Sequence, residues 1–402
     1  MRGLSLLTAI GLFIGAAVLS PAQETARIGS TEDPILLEKL LAADKDNDGK
    51  IDQREFDGVG GSALWSILDA NTDHVVTLKE VHKNLPTFLA SRAAGGGGRM
   101  PMASTGLVPL NDLRTGTYKG KEGGLYPGGS NDRPEAHEEA GLRLARSIRP
   151  LDAQGLAADR GKVVMLSIGM SNTTQEFSTF KPMADADPAK NPRLVIVDGA
   201  QGAMTANVVS KPESAPGKRF WATVDKRLET AGVSRKQVQV AWVKQADPAP
   251  KGTDFEYALA IEEEHGQIVQ ILKQRFPNLV LCYLSSRIYG GYATTGLNPE
   301  PYAYEGGFAV KWLIEKQLSG DPELNFEPAR GPVKAPWLAW GPYLWADGTN
   351  ARSDGLTYEV TDLRPDDGTH PALPGRTKVA RLLLDFVKND STARIWFLGE
   401  GR

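Results

Sequence analysis

The sequence predicts an α/β protein, a doubly wound parallel five-stranded sheet preceded by a small all-α module. The reading rests on three features. Beyond Arg133, short continuous apolar runs alternate with helical patterns, the signature of strands buried on both faces beneath crossover helices. Residues 31–90 are compact, acidic and helical in pattern, and residues 91–117 form a Gly-rich linker that includes four consecutive glycines within 93–99. Such a stretch holds a helix poorly, because glycine loses the most backbone entropy on ordering.

The chain has 402 residues, of which 41% are apolar and 24% charged. That length suits two domains or one large one and excludes a single small module. With 46 basic and 49 acidic residues the net charge is −3, too balanced for a general polyanion binder, so nucleic acid is not an expected partner. Cys282 is the only cysteine. An intramolecular disulfide and a structural cysteine metal site are both excluded.

Arg2, the apolar stretch 4–19 and Ser20-Pro21-Ala22 read as a signal peptide over residues 1–22, cleaved before Gln23. The apolar stretch is shorter than the ~20 residues a span needs, and no later stretch reads as a span. The expected location is secreted or periplasmic.

The strand runs fall at 163–168, 194–197, 238–243, 279–284 and 337–344. Helical patterns lie at 173–184, 221–231, 256–275 and 302–318, and a last helix runs from about 375 to 388. This order fits a flavodoxin-like sheet over 118–402, whose ligands sit outside the carboxyl ends of the strands. Residues just after each strand therefore carry the functional expectation. The Gly- and Pro-rich stretch 106–131 reads either as an extended arm or as a loop packed on this domain.

Within 31–90, Asp44-Lys45-Asp46-Asn47-Asp48-Gly49-Lys50-Ile51-Asp52-Gln53-Arg54-Glu55 matches an EF-hand loop at every position. A hard cation takes six to eight oxygens. Asp44, Asp46, Asp48, the Lys50 carbonyl, Asp52 and Glu55 offer them, and Gly49 permits the sharp turn. A second loop offers Asp69, Asn71, Asp73, the Val75 carbonyl, Thr77 and Glu80, with His74 where glycine is preferred. Thirteen residues separate Glu55 from Asp69, room for little more than one shared helix bearing Leu64, Trp65 and Ile67. The pair reads as an EF-hand module with Ile51 facing Val76. Its expected cofactor is Ca2+, held as a structural staple, since no Met-rich groove is evident.

The run 163–172 is a buried strand ending in Gly169-Met170-Ser171-Asn172. Ser171 there is either an ordinary helix cap or an exposed nucleophile. Near the other end, Asp366-Asp367-Gly368-Thr369-His370-Pro371 places Asp367 and His370 on a turn with two residues between them. The other histidines read as solvated residues: His74 and His82 in the calcium module, His137 in a charged helix, and His265 after Glu262, Glu263 and Glu264.

Together, Gly169-Met170-Ser171, the glycine turns after the second strand and Asp367-Gly368-Thr369-His370 resemble the SGNH/GDSL hydrolase family over roughly 118–402. The resemblance implies Ser171 as nucleophile, His370 as general base then acid, and Asp367 as its orienting partner. It also implies an oxyanion donor at Gly202. Two positions depart from the family pattern. Met170 stands where aspartate is usual, and Gln245 stands in place of the third block's asparagine. Either Gln245 or Asn172 could supply the side-chain amide. The chemistry is that of a serine esterase working through an acyl-enzyme, with no cofactor required.

Eight tryptophans and ten tyrosines are present. Tyr289, Tyr292, Trp340, Tyr343 and Trp345 follow strands, where they either stack on sugar rings or fill the core. Arg287 either meets an acidic substrate group or pairs with Asp247. The expected activity is removal of acetyl or other small acyl groups from an ester substrate, an acylated carbohydrate. The alternative is a catalytically silent carbohydrate-binding or surface-assembly protein on the same folds.

Overall fold

The computed structural model describes residues 101–399, together with 40, 42–46, 48–56, 65, 68–69, 73, 75–77, 79–81 and 83–84. The expected leader at 1–22 and the four-glycine tether at 93–99 lie outside the described residues, as do Leu64, Ile67, Asn71, His74 and His82.

Five parallel strands form the main sheet: β1 (Val163–Gly169), β2 (Leu194–Asp198), β3 (Val238–Lys244), β4 (Leu281–Ser285) and β5 (Trp337–Trp340). Their spatial order is β2-β1-β3-β4-β5, the flavodoxin-like order. Every residue of β1, β3, β4 and β5 is buried. That is why these strands read as unbroken apolar runs rather than as alternation.

Among the described residues, the helices longer than four residues are α1 (Glu135–Ser147), α2 (Ser171–Asp185), α3 (Ala215–Thr230), α4 (Glu256–Arg275), α5 (Tyr302–Leu318), α6 (Leu373–Asn389) and α7 (Ala393–Leu398). The β1-to-β2 connection crosses the sheet in one direction, and those from β2 onward cross in the other. Right-handed crossovers therefore set α2 on one face and α3, α4 and α5 on the opposite one. Helix α2 packs on α6, and α4 packs on α5.

Most boundaries follow the sequence pattern, and the departures have local causes. β5 ends at Trp340 rather than at 344. Gly341 passes so close to β4 that an added Cβ would meet Ser285 Oγ at 3.0 Å, and Pro342 has no N–H to continue a ladder. α3 starts six residues before the expected 221, because Ser214 caps it by accepting from the Gly217 N–H at 3.1 Å and Pro216 lies in its first turn, where proline is tolerated.

The arm is packed on the sheet domain, and so are residues 101–105 before it. Tyr289 Oη donates to the Met102 carbonyl at 2.7 Å and Tyr304 Oη to that of Val108 at 2.7 Å. Asp347 accepts from Ser104 Oγ, Thr105 N and Gly106 N at 2.5, 2.6 and 3.0 Å. Trp340 Nε1 donates to the Leu125 carbonyl at 2.7 Å.

In the amino-terminal segment, Lys50–Asp52 pairs antiparallel with Val75–Thr77, and Ile51 lies opposite Val76. Both are buried, and Phe56 meets Trp65 edge-on at 5.1 Å between ring centroids.

Candidate active site

Ser171 opens α2 directly after β1 and Met170. The turn requires glycine at 169, since an added Cβ would lie 2.3 Å from Thr173 Oγ1. Thr173 Oγ1 donates to the Lys244 carbonyl at 2.7 Å, which ties the start of α2 to the end of β3. The hydroxyl of Ser171 is thereby held at the carboxyl edge of the sheet, beside N–H groups that a first helical turn leaves without intrahelical partners.

His370 sits on the turn between the last strand and α6. Arg364 N donates to the His370 carbonyl at 2.7 Å and Gly368 N to the Arg364 carbonyl at 2.8 Å. Gly368 has φ +58°, and a Cβ there would meet the Tyr292 carbonyl oxygen at 1.9 Å, so the turn demands glycine on two counts. Asp367 Oδ1 accepts from the backbone N–H groups of Thr369 and His370, both at 2.8 Å.

Asp367 Oδ2 lies 2.5 Å from His370 Nδ1, and His370 Nε2 lies 2.7 Å from Ser171 Oγ. The carboxylate assigns the ring proton to Nδ1 and leaves Nε2 to accept from the serine hydroxyl. Burial pushes the Asp367 carboxyl up. The bonds from the His370 ring and the two backbone amides outweigh it and hold the group below its ordinary value.

Ser171 and His370 border a cavity of about 320 Å³, also lined by Asn172, Ala203, Asp247, Arg287 and Asn298. Ala203 follows β2, Asp247 follows β3 and Arg287 follows β4. Residues just after three of the strands thus line the cavity.

Two expected oxyanion donors are not brought to the cavity. Gly202 is exposed and outside its lining, whereas its neighbour Ala203 is in the lining with φ +62°. Gln245 is buried, and its Nε2 donates to the Met204 carbonyl at 3.2 Å. Asn172 does reach the cavity, but its Nδ2 donates to the Thr369 carbonyl at 2.9 Å. A left-handed alanine could not be read from sequence, because glycine is the residue expected there.

Other expectations are corrected by burial. His137 is buried, stacks on Trp337 at 4.8 Å and bonds the Leu338 carbonyl through Nε2 at 2.8 Å. His265 is buried and bonds the Ile261 carbonyl through Nδ1 at 2.7 Å. Burial lowers both imidazole pKa values. These are core histidines, not solvated ones. Tyr289, Tyr292, Trp340, Tyr343 and Trp345 are all buried and none lines the cavity, so they brace loops rather than present sugar platforms. Arg287 forms no ion pair with Asp247 within 4 Å.

In the first acidic loop, carboxylate oxygens of Asp44, Asp46 and Asp48 lie within 4.8 Å of one another, and Gly49 has φ +80°. Asp44 accepts from Asp48 N at 3.1 Å and Gly49 N at 3.0 Å, and Glu55 closes back on Lys45 N at 3.0 Å and Asp52 N at 3.1 Å. The Asp48 N–H lowers the Asp46 pKa. Desolvation and the carboxylates of Asp48, Glu55 and Asp44 outweigh it and leave the group raised. Converging hard oxygens under mutual repulsion are the donor set that suits calcium.

The fold and side chains define an α/β protein with a hydrogen-bonded Ser-His-Asp constellation at the sheet's carboxyl edge. No family profile and no curated protein matches the chain. Several solved structures are similar to parts of it, among them the following two. One is described as an SGNH hydrolase from Slackia heliotrinireducens, with 11% identity and TM-score 0.30, covering 56% of this chain and 99% of that one. The other is the periplasmic domain of a lipopolysaccharide acetyltransferase of Salmonella ser. Paratyphi A, with 12% identity and TM-score 0.32, covering 63% of this chain and 95% of that one.

Proposed function

We propose that this protein is a serine esterase that removes acetyl or other small acyl groups through an acyl-enzyme. The observation that carries the reading is the unbroken chain Ser171 Oγ to His370 Nε2 to Asp367 Oδ2, at 2.7 and 2.5 Å, opening on a cavity.

A serine hydroxyl is a weak nucleophile, and His370 takes its proton as Oγ forms a bond to the ester carbonyl carbon. The carbonyl π electrons move onto oxygen. The N–H groups of Ser171 and Ala203 stabilise that charge, each worth about 3 kcal/mol when aligned. Collapse breaks the bond to the alcohol oxygen, which leaves with the proton from His370. Water then repeats the sequence on the acyl-enzyme. Asp367 holds the ring and stabilises the imidazolium.

Met170, Ala203, Ala246 and Leu297 give the cavity apolar walls suited to a short acyl chain, while Asn172, Asp247 and Asn298 suit a polyhydroxyl alcohol such as a carbohydrate. Calcium in the 44–55 loop, held by Asp44, Asp46, Asp48, the Lys50 carbonyl, Asp52 and Glu55, serves folding rather than chemistry. The second loop, with Asp69, Asn71, Asp73, Val75, Thr77 and Glu80, takes a second ion. Export is part of the reading. Among the described residues no helix is long and apolar enough to cross a membrane.

Hydrolysis of 4-nitrophenyl acetate tests the reaction: Ser171→Ala should lower kcat by at least a thousandfold, and equal rates would remove the esterase. For the loop, calorimetry should show calcium binding that the double change Asp44→Ala, Glu55→Ala weakens at least tenfold. An unchanged isotherm would place the ion elsewhere.

A further inference from the structure

Arg287 is a buried cation on which the carboxylates of Glu176, Asp367 and Glu300 act only from beyond ion-pair distance. Its side chain is almost fully enclosed, yet it borders the Ser171 cavity. Among the described residues, Nη2 donates to the Thr369 carbonyl at 3.2 Å, and Nε and Nη1 have no hydrogen-bond partner. The other cations near this edge are engaged. Lys244 is paired with Glu176, and Arg227 donates to the Asp198 and Ala200 carbonyls. A guanidinium away from water is strongly penalised unless an anion or a full set of acceptors meets it.

We infer that Arg287 binds a carboxylate on the alcohol half of the substrate, so that the preferred esters are those of hydroxylated carboxylic acids such as acidic sugars. The inference rests on the esterase reading of the site. Position supports the alcohol half. Arg287 contacts Thr369, the residue before His370, and it is His370 that must protonate the leaving alcohol. The oxyanion donors at Ser171 and Ala203 follow β1 and β2 instead. Guanidinium forks match carboxylates in geometry as well as charge.

Asp247 and Asn298 refine the class. Asp247 borders the same cavity and repels a second anion there, but its carboxylate can accept from hydroxyls. The buried Asn298 Oδ1 has no partner among the described residues and offers a further acceptor. One cation with two hydroxyl acceptors fits a ligand that carries both a carboxylate and hydroxyl groups.

The test compares 4-acetoxybenzoate with its neutral amide, 4-acetoxybenzamide. The wild-type protein should favour the carboxylate at least tenfold in kcat/KM, and Arg287→Gln should bring the ratio to within about twofold. Equal wild-type values would overturn the inference, with no need for the variant to fold. A preference instead for mono-4-nitrophenyl succinate over 4-nitrophenyl acetate would put the carboxylate in the acyl half and overturn the placement. Calorimetry on Ser171→Ala separates this from the reaction itself. D-glucuronate should bind at least tenfold more tightly than D-glucose, and less tightly on adding Arg287→Gln. Equal binding of the two sugars would overturn the carboxylate site even if esters are cleaved. Absence of Ser171-dependent turnover with that selectivity intact would sink the esterase alone.

Discussion

Asn172 Nδ2 donates to the Thr369 carbonyl at 2.9 Å, joining the residue after the serine to the residue before the histidine. Arg287 Nη2 bonds the same carbonyl from β4's exit at 3.2 Å. The distance from Ser171 to His370 is therefore fixed by the backbone on both sides of it and not by the catalytic side chains alone. Segments about two hundred residues apart in sequence are held in register by one amide.

Asn172→Ala removes that donor and leaves a buried carbonyl with one partner. Stability should fall by about 1–3 kcal/mol in urea unfolding. A looser imidazole should lower kcat by about tenfold to a hundredfold, with KM within about twofold. A thousandfold loss at unchanged stability would show instead that the amide acts on the substrate.

Much of this arrangement was legible in the sequence. Strands β1, β3 and β4 announce themselves because both faces are covered, and Ser171, Asp367 and His370 stand at turns that follow the β1 and β5 ends. What the sequence could not show was the use made of polar side chains. Gln245 and Asn172 are equally able to donate, and only packing decides that both donate to backbone carbonyls. Helix periodicity put His265 on a charged face beside Glu262, yet α4 is covered by α5, and Glu262 itself is buried in a pair with Lys316 at 2.6 Å. The short helix α7 was missed because six residues span too few turns to show a period.

Beneath the site, Lys244 Nζ lies 2.6 and 2.5 Å from the two carboxylate oxygens of Glu176, with both side chains fully buried. Burial pushes the Lys244 amine down to about 8 against the opposing pull of Glu176. Breaking such a pair leaves a bare buried charge, so Lys244→Met alone should destabilise by about 3–5 kcal/mol. The double change Lys244→Met, Glu176→Leu removes both charges and should recover most of the loss. Urea midpoints of the two variants decide the point: a double variant no more stable than Lys244→Met would mean that the pair is stabilising in its own right.

Asp247 and Glu264 share Asn207, whose backbone N–H donates to Asp247 Oδ1 at 3.0 Å and whose side-chain amide donates to Glu264 Oε1 at 2.9 Å. Burial, and then the neighbouring Asp247 carboxylate, push the Glu264 carboxyl up to about 8, with Lys211 opposing. The folded state thus binds more protons than the unfolded chain between the ordinary glutamate value and about 8. The stability this proton confers is complete at the acid end of that window and is lost as pH rises through it. Wild-type urea stability should decline across the window more steeply than that of Glu264→Gln, which carries a permanent neutral amide. The variant should be the more stable of the two above pH ~8. Parallel pH profiles would mean that Glu264 is ionised throughout. Because Asp247 borders the cavity, the same protonation should also set how much negative charge an incoming carboxylate meets there.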